Sequence, residues 1–284
     1  MIRRVAVVGA GTMGHGIAHA ALAAGYQVDL ADADRDALLL AHSRIEAAFA
    51  KGIERGKLGP ADRDAALARL TTHPALEDAA RSADLLIEAV PERIELKRAL
   101  FGAAQAAAPP HAILASNTSS LSIAEIAAAV HQPGRVVGLH FFNPVAAMRL
   151  VEVVRAPATS EATLTAVRTF VESLGKTPIV VGDTPGFATS RLGVVLGLEA
   201  IRMVEQGVAS PEDIDRAMEL GYNHPMGPLR LGDLVGLDVR LAIADHLHAA
   251  LKDDTYRAPA LLRRMVAEGK LGRKSGEGFY RWES

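Results

Sequence analysis

The sequence predicts an α/β protein in which a doubly wound parallel sheet over residues 1–184 precedes an all-helical domain over residues 185–284. Three observations carry that expectation. Through the first two thirds, short apolar runs without polar alternation are separated by helical patterns, as parallel strands covered on both faces are. The first run, Val5-Ala6-Val7-Val8, passes directly into glycines at 9, 11 and 14. After Asp183-Thr184-Pro185-Gly186, strand signals of comparable strength give out and helical patterns take over.

Gly9, Gly11 and Gly14 fit the G-x-G-x-x-G spacing, and residues 12–24 behind them read as a helix. The three glycines serve a tight turn, close approach of backbone to a pyrophosphate, and close helix–strand packing. The N–H groups at the helix start, around Thr12 and Met13, are placed to hold phosphate charge. Strand, glycine turn and helix together make a Rossmann-type dinucleotide site. An ordinary strand–helix turn is the plainer reading. A second strand over 27–31 ends at Asp32, eighteen residues after Gly14, where a ribose-binding carboxylate belongs. A carboxylate there repels a 2′-phosphate, so NAD is expected, with nearby Arg35 keeping NADP as the alternative. Asp32 also reads as a surface acid, as do Asp29, Asp34 and Asp36.

Residues 35–55 form a long helical pattern that stops in the breaker region Gly52, Gly56 and Gly59-Pro60. Residues 85–90 are a continuous apolar strand closed by Pro91, and 94–107 are helical up to Pro109-Pro110. Further strands are expected at 113–115, 135–140 and 177–181, with one of different orientation at 148–154. Beyond the boundary, 187–206 read as one long helix ending at Gly207. Ser210-Pro211-Glu212-Asp213 starts another, with Ser as cap, Pro at the first position and acids in the first turn. Helical patterns cover 239–251 and 259–268, and Gly278-Phe279-Tyr280 is a short last strand signal.

Composition narrows the function classes. Thirty-one basic and 33 acidic side chains nearly balance, and no basic cluster marks a nucleic-acid surface. The chain has no cysteine, which excludes disulfides, thiolate metal sites and a Cys nucleophile, and no metal is expected. No apolar run approaches the roughly 18 residues that span a bilayer. Met1-Ile2-Arg3-Arg4 imitates a signal peptide, but glycines 9, 11, 14 and 16 and histidines 15 and 19 interrupt the apolar region. A soluble, cytoplasmic protein is expected.

Two loops follow the carboxyl ends of consecutive strands, where ligands bind in open α/β sheets. They are Ser116-Asn117-Thr118-Ser119-Ser120 and His140-Phe141-Phe142-Asn143-Pro144. Twelve residues beyond His140, Glu152 interrupts the apolar Leu150-Val151-Glu152-Val153-Val154. A carboxylate inside an apolar strand is costly unless paired, and an imidazole is its natural partner. Glu152 would orient His140 and stabilise its cationic form for acid–base work near neutral pH. A lone histidine is more commonly structural, which is the reading given to the other nine. Ser119 and Asn117 also read as caps for a helix near Ile123, although Ser122, with Glu125 three residues on, is better placed.

Asn117-Thr118-Ser119-Ser120, His140-Phe141-Phe142-Asn143-Pro144 and Asp183-Thr184-Pro185-Gly186-Phe187 resemble motifs of the short-chain L-3-hydroxyacyl-CoA dehydrogenases. His224-Pro225-Met226-Gly227-Pro228, Gly236-Leu237-Asp238 and Gly276-Glu277-Gly278-Phe279-Tyr280 do so too. The similarity runs over essentially the whole chain, and size and domain plan resemble the bacterial 3-hydroxybutyryl-CoA dehydrogenases. It implies NAD-dependent oxidation of (S)-3-hydroxyacyl-CoA, first 3-hydroxybutyryl-CoA, to 3-ketoacyl-CoA and the reverse. By this resemblance His140 takes the 3-hydroxyl proton, Glu152 is its carboxylate partner, and Ser119 hydrogen-bonds the reacting oxygen. Asp32 binds the adenosine ribose, and Glu92, Lys97, Asn117 and Lys274 contact the cofactor. Ser119 and Asn143 meet the substrate, and the helical domain makes a homodimer. Glu92 and Lys97 alternatively form a solvated pair on a helix face, and Lys274, near Lys270 and Arg273, a plain surface charge.

One departure stands out: Ser190 occupies the position where the family commonly carries a substrate-binding Asn. A serine hydroxyl donates a hydrogen bond but reaches less far than an amide. Arg55 and Lys57, with Lys51, stand in for the family's basic CoA-binding stretch. Two other readings stay open: a dehydrogenase of a non-CoA hydroxy acid or polyol, similar to the gulonate dehydrogenases, and a catalytically silent NAD-binding structural protein. The 3-hydroxyisobutyrate dehydrogenases use a lysine on the long interdomain helix, and residues 187–206 contain none.

Overall fold

A computed structural model describes residues 1–283, which form two compact units, one over Met1–Thr184 and one from Pro185 onward. The first unit holds one eight-stranded sheet. Its strands are β1 (Arg4–Val8), β2 (Gln27–Ala31), β3 (Leu70–His73), β4 (Leu85–Glu88), β5 (Ile113–Ser116), β6 (Val136–Phe141), β7 (Leu150–Arg155) and β8 (Thr177–Gly182). Their spatial order is β3-β2-β1-β4-β5-β6-β7-β8. All neighbours run parallel except β6 and β7, which are antiparallel, so the different orientation expected after residue 148 is present. Strand order reverses between β1 and β4, which places a ligand crevice beyond the carboxyl ends of those two strands.

Helices α1 (Thr12–Ala23), α2 (Arg35–Glu54), α3 (Pro60–Leu67), α4 (Leu76–Ala80), α5 (Ile94–Ala107), α6 (Ile123–Ala127) and α7 (Glu161–Ser173) belong to the same unit. The central strands are apolar because both of their faces are covered: Val5, Val7, Leu85, Ile87, Val137 and Leu139 are wholly buried. Burying each such side chain contributes about 1.5–3 kcal/mol. β3 gave no readable strand signal. Its Leu-Thr-Thr-His lies on the sheet edge with no residue fully buried, so neither an apolar run nor an alternation marks it. Ser122 caps α6 as expected, its hydroxyl accepting from Glu125 N. Asp183 adds an unforeseen second cap, accepting from Ser122 Oγ and from the amides of Ile123 and Ala124 at 2.7–3.0 Å.

Among the described residues of the second unit, five α-helices dominate: α8 (Thr189–Glu205), α9 (Pro211–Tyr222), α10 (Pro228–Val235), α11 (Leu237–Leu251) and α12 (Ala260–Ala267). Leu198, Leu237, Ala244, Leu247 and Leu262 are its wholly buried centre. Ser210 caps α9 through Asp213 N, and Pro211 opens it. The strand signal at Gly278-Phe279-Tyr280 is corrected: among the described residues, isolated bridges from Gly272 to Glu277 and from Glu277 to Arg281 form there in place of a strand. The donors of that tail go to a side chain instead. Asp233, fully buried, accepts from Phe279 N (3.0 Å), Tyr280 N (2.9 Å) and Trp282 Nε1 (3.0 Å).

Candidate active site

The glycine turn is built around steric limits. Gly9 has φ +100°, and a Cβ on it would lie 2.6 Å from the Ala89 carbonyl oxygen. A Cβ on Gly14 would lie 1.7 Å from the Gly9 oxygen, so α1 sits directly on the turn. Gly11 differs, because a Cβ there meets nothing within 4 Å and projects into open space. That space is a cleft of about 620 Å³ lined by Gly9, Gly11, Thr12, Met13, Asp32 and Leu96 among others. No side chain caps the start of α1, which leaves its first amides to an acceptor from outside the helix. Asp32 faces the same cleft and braces the turn, its Oδ2 accepting from Ala10 N at 2.7 Å and its Oδ1 from Asp34 N at 2.9 Å. Asp29, read as a surface acid, is in fact buried and pairs with Arg4 and His73 at 2.6 and 2.8 Å. His15 Nδ1 lies 2.8 Å from Gly11 O, a structural role.

Across the antiparallel pair of β6 and β7, His140 stands directly opposite Glu152. The register brings Nδ1 to 2.8 Å from Oε2, with the carboxylate wholly buried and the imidazole side chain 10 % exposed. An ionised carboxylate only accepts, so Nδ1 carries the proton and Nε2 is the basic nitrogen. The Phe142 ring flanks the imidazole at 4.4 Å between centroids. Asn117 ties the two strand-end loops together, its Oδ1 accepting from Phe141 N at 2.9 Å. Asn143 is exposed and precedes a cis proline, Pro144. Lys176 Nζ holds the following segment by donating to Val145 O (2.5 Å) and Met148 O (2.7 Å).

The 116–120 loop wraps one carboxylate. Glu92 Oε1 receives Thr118 Oγ1 at 2.5 Å, Ser119 N at 3.0 Å, Ser120 Oγ at 3.3 Å and Ser119 Oγ at 3.5 Å. Burial pushes the Glu92 carboxyl up. The Thr118 hydroxyl, the Lys97 charge and the Ser119 amide outweigh it and hold the carboxyl below its ordinary range. Lys97 corrects the solvated-pair reading: it is 1 % exposed and bridges Glu88 at 2.6 Å and Glu92 at 3.2 Å. Glu88 was missed. A carboxylate closing the apolar run Leu85-Leu86-Ile87 is the signal that singled out Glu152, and it applied equally here.

Against α2 a second cleft, about 490 Å³, is lined by His19, Phe49, Lys51, Arg55, Lys57 and Leu58 among others. His19 packs its ring on Phe49 at 4.5 Å. Burial, and then the charges of His15 and Lys176, make its imidazole harder to protonate than usual. In the second unit, half-buried Ser190 stands in the first turn of α8. Lys274 is no isolated surface charge, since its Nζ donates to Asp238 Oδ2 at 2.6 Å. Among the described residues no group of three His, Asp or Glu side chains is arranged to hold a metal, and no helix is long and apolar enough to cross a membrane.

An open α/β crevice with a glycine turn, an acid just after the second strand and a His–Glu pair defines an NAD-linked oxidoreductase. Comparison with known proteins agrees. The model of the 3-hydroxyacyl-CoA dehydrogenase NAD-binding domain matches residues 4–184, and that of the C-terminal domain of the same enzymes matches residues 186–282. A probable 3-hydroxybutyryl-CoA dehydrogenase of Bacillus subtilis is 46 % identical over 282 residues, covering 99 % of this chain and 98 % of that protein. The human mitochondrial hydroxyacyl-coenzyme A dehydrogenase is 42 % identical over 289 residues, covering 100 % of this chain and 92 % of that one. The crystal structure of (S)-3-hydroxybutyryl-CoA dehydrogenase from Ralstonia eutropha superposes with a TM-score of 0.96 at 41 % identity, covering all of both chains. The chain belongs to the 3-hydroxyacyl-CoA dehydrogenase family. Its cofactor is NAD, and the uncapped start of α1, the open space beyond Gly11 and the Asp32 carboxylate fit that dinucleotide.

Proposed function

We propose that the protein oxidises (S)-3-hydroxyacyl-CoA thioesters, with 3-hydroxybutyryl-CoA the leading substrate, to 3-ketoacyl-CoA, and catalyses the reverse reduction. The observation that carries the reading is the 2.8 Å contact of His140 Nδ1 with the buried Glu152. NAD, when bound, accepts a hydride in the oxidation and its reduced form donates one in the reverse direction. His140 Nε2 takes the proton of the 3-hydroxyl as the C3 hydrogen departs with its electron pair and the C3–O bond becomes a carbonyl. Glu152 fixes the tautomer that makes Nε2 the base and stabilises the imidazolium that results. In reduction the same nitrogen returns the proton to the forming alkoxide. Ser119 donates a hydrogen bond to the reacting oxygen, and Ser190 supplies a further, short hydroxyl donor. Asn143 completes the substrate contacts.

Lys51, Arg55 and Lys57 on the cleft against α2 suit the phosphates of the CoA portion. The first unit binds NAD through Gly9, Gly11, Thr12, Met13, Gly14 and Asp32. Glu92, Asn117 and Lys274 stand as further cofactor contacts. The second unit carries exposed apolar side chains, Leu192 at 72 %, Leu220 at 79 % and Tyr222 at 75 %, that a second copy of the chain would cover in a homodimer. A cytoplasmic setting belongs to the same proposal, for a chain without cysteine needs no oxidising compartment. The test follows NADH consumption with acetoacetyl-CoA, with NADPH in parallel. Rapid NADH-dependent loss is expected. NADH binding without turnover, or turnover confined to free hydroxy acids and polyols, would overturn the thioester reading.

A further inference from the structure

We infer that Arg240 binds a carboxylate of the substrate, so that thioesters whose acyl chain ends in a carboxylate are preferred to those ending in a methyl group. The inference rests on the thioester reading and on Ser190 as a substrate donor, and extends both to the far end of the acyl chain. Arg240 stands in the first turn of α11 and is 6 % exposed. Its Nη1 donates to Gly193 O on α8 at 2.7 Å, its Nε is buried without a partner, and among the described residues no carboxylate pairs with it. A guanidinium this deep is costly unless an anion faces it. The dipole of α11 adds to the cost, because a helix start disfavours a cation. The acids nearest in sequence are engaged elsewhere. Asp233 accepts the three donors of the C-terminal tail, and Asp238 Oδ2 accepts from Lys274 at 2.6 Å.

Glycines shape the seat of the guanidinium. A Cβ on Gly197 of α8 would lie 2.4 Å from Arg240 Nη1, and one on Gly232 of α10 would lie 3.3 Å from Nε. A glycine inside a helix weakens it, and Gly197 lets the guanidinium lie directly on the α8 backbone. Gly193 is different: a Cβ there would meet nothing within 4 Å, so bare backbone borders open space next to the carbonyl that holds Nη1. Ser190, Gly193 and Gly197 recur at i, i+3 and i+7 and therefore share one face of α8. Along that face a hydroxyl is followed, about 4.5 Å on, by the open glycine and then by the guanidinium. Arg240 Nη2 has no hydrogen-bond partner among the described residues, and unlike Nε it is not sealed from solvent. A carboxylate reaching past Ser190 meets a charged donor there and supplies the missing anion.

The parent protein, Arg240→Met and Arg240→Lys are assayed for NADH consumption with two thioesters of equal chain length, 3-oxoadipyl-CoA and 3-oxohexanoyl-CoA, and with free acetoacetate. Both thioesters carry the same CoA charge, so their ratio reads the acyl end alone. The parent is expected to show a kcat/KM about tenfold or more higher for the carboxylate-ended thioester. Arg240→Met replaces a lone buried charge with an apolar side chain and is expected to fold. Its ratio should fall to about one or below. Arg240→Lys should lie between, since an ammonium does not present a planar fork to two oxygens. Equal or better use of 3-oxohexanoyl-CoA by the parent overturns the inference, whether or not a variant folds. So does a preference for the carboxylate that survives in Arg240→Met. Turnover of neither thioester overturns the substrate reading. In that event, acetoacetate reduction lost in Arg240→Met supports Arg240 as the partner of a free acid, and any other result overturns the inference too.

Discussion

His140 and Glu152 are cross-strand partners: the antiparallel register of β6 and β7 sets them face to face, with Nδ1 and Oε2 2.8 Å apart. Both residues stand on strands and not on the loop that joins them, so two hydrogen-bonded strand backbones hold the pair in place. His140→Gln keeps a donor toward Glu152 but supplies no base, so it is expected to fold. Steady-state assay should find kcat lowered by about 10²–10⁴ with NADH affinity kept. Glu152→Gln leaves the ring in place without the charge that stabilises imidazolium, and a smaller loss, confined to kcat, is expected. Full activity in His140→Gln would remove the assigned mechanism.

Gly11 and Gly14 lie three residues apart and predict opposite phenotypes. Gly14→Ala puts a methyl 1.7 Å from the Gly9 oxygen and must push α1 off the turn, so both melting temperature and NADH affinity should fall. Gly11→Ala meets no protein atom, and its methyl enters the space left for the dinucleotide. Thermal stability should be unchanged while NADH binding weakens by about tenfold or more. Equal melting temperatures for the two variants would contradict this placement of the cofactor.

Arg55 and Lys57 are exposed side chains on the cleft against α2. Replacing both with Ala is expected to raise KM for acetoacetyl-CoA about tenfold, leave kcat alone and flatten its dependence on salt. A kcat effect with unchanged KM would place the CoA phosphates elsewhere.

His19 makes stability depend on pH. Burial, then His15 and Lys176, lowers its pKa from the ordinary value, and Lys51, Arg55 and Lys57 line the same cleft. Between the lowered value and about 6.5 the unfolded chain binds more protons than the folded one, so stability rises with pH across that window. Acidification through it therefore destabilises the protein. His19→Gln should show a smaller drop in melting temperature from about pH 7.5 to about pH 5.5 than the parent protein. Parallel curves would rule out this contribution.

Features encoded in contiguous residues were legible. The opening strand, the glycine spacing and the acid just after β2 follow one another along the chain, and their meaning depends on local backbone geometry. The cap at Ser210 and the antiparallel β7 were readable for the same reason. Glu152 declared itself because a carboxylate in an apolar strand must have a partner, and the strand-end histidine was within reach of the argument. Glu88 met the same criterion, but its partner is a lysine nine residues on, which the sequence offered only as a cofactor contact or a solvated charge. β3 was invisible, as a short, half-exposed edge strand bears neither pattern.

By itself the sequence determined the alternation of most strands and helices, the dinucleotide turn and the pairing of His140 with Glu152. Each depends on spacing along the chain or on the cost of one buried charge. Tertiary structure alone decided that Lys97 lies in the core between two carboxylates, that Asn117 fastens one strand-end loop to the next, and that Asp233 takes up the donors of the C-terminal tail. Hydrophobic periodicity reports which face of an element is covered. Which polar atoms meet beneath that cover is settled by strand register and helix placement, and these bring together residues 9 to 49 positions apart.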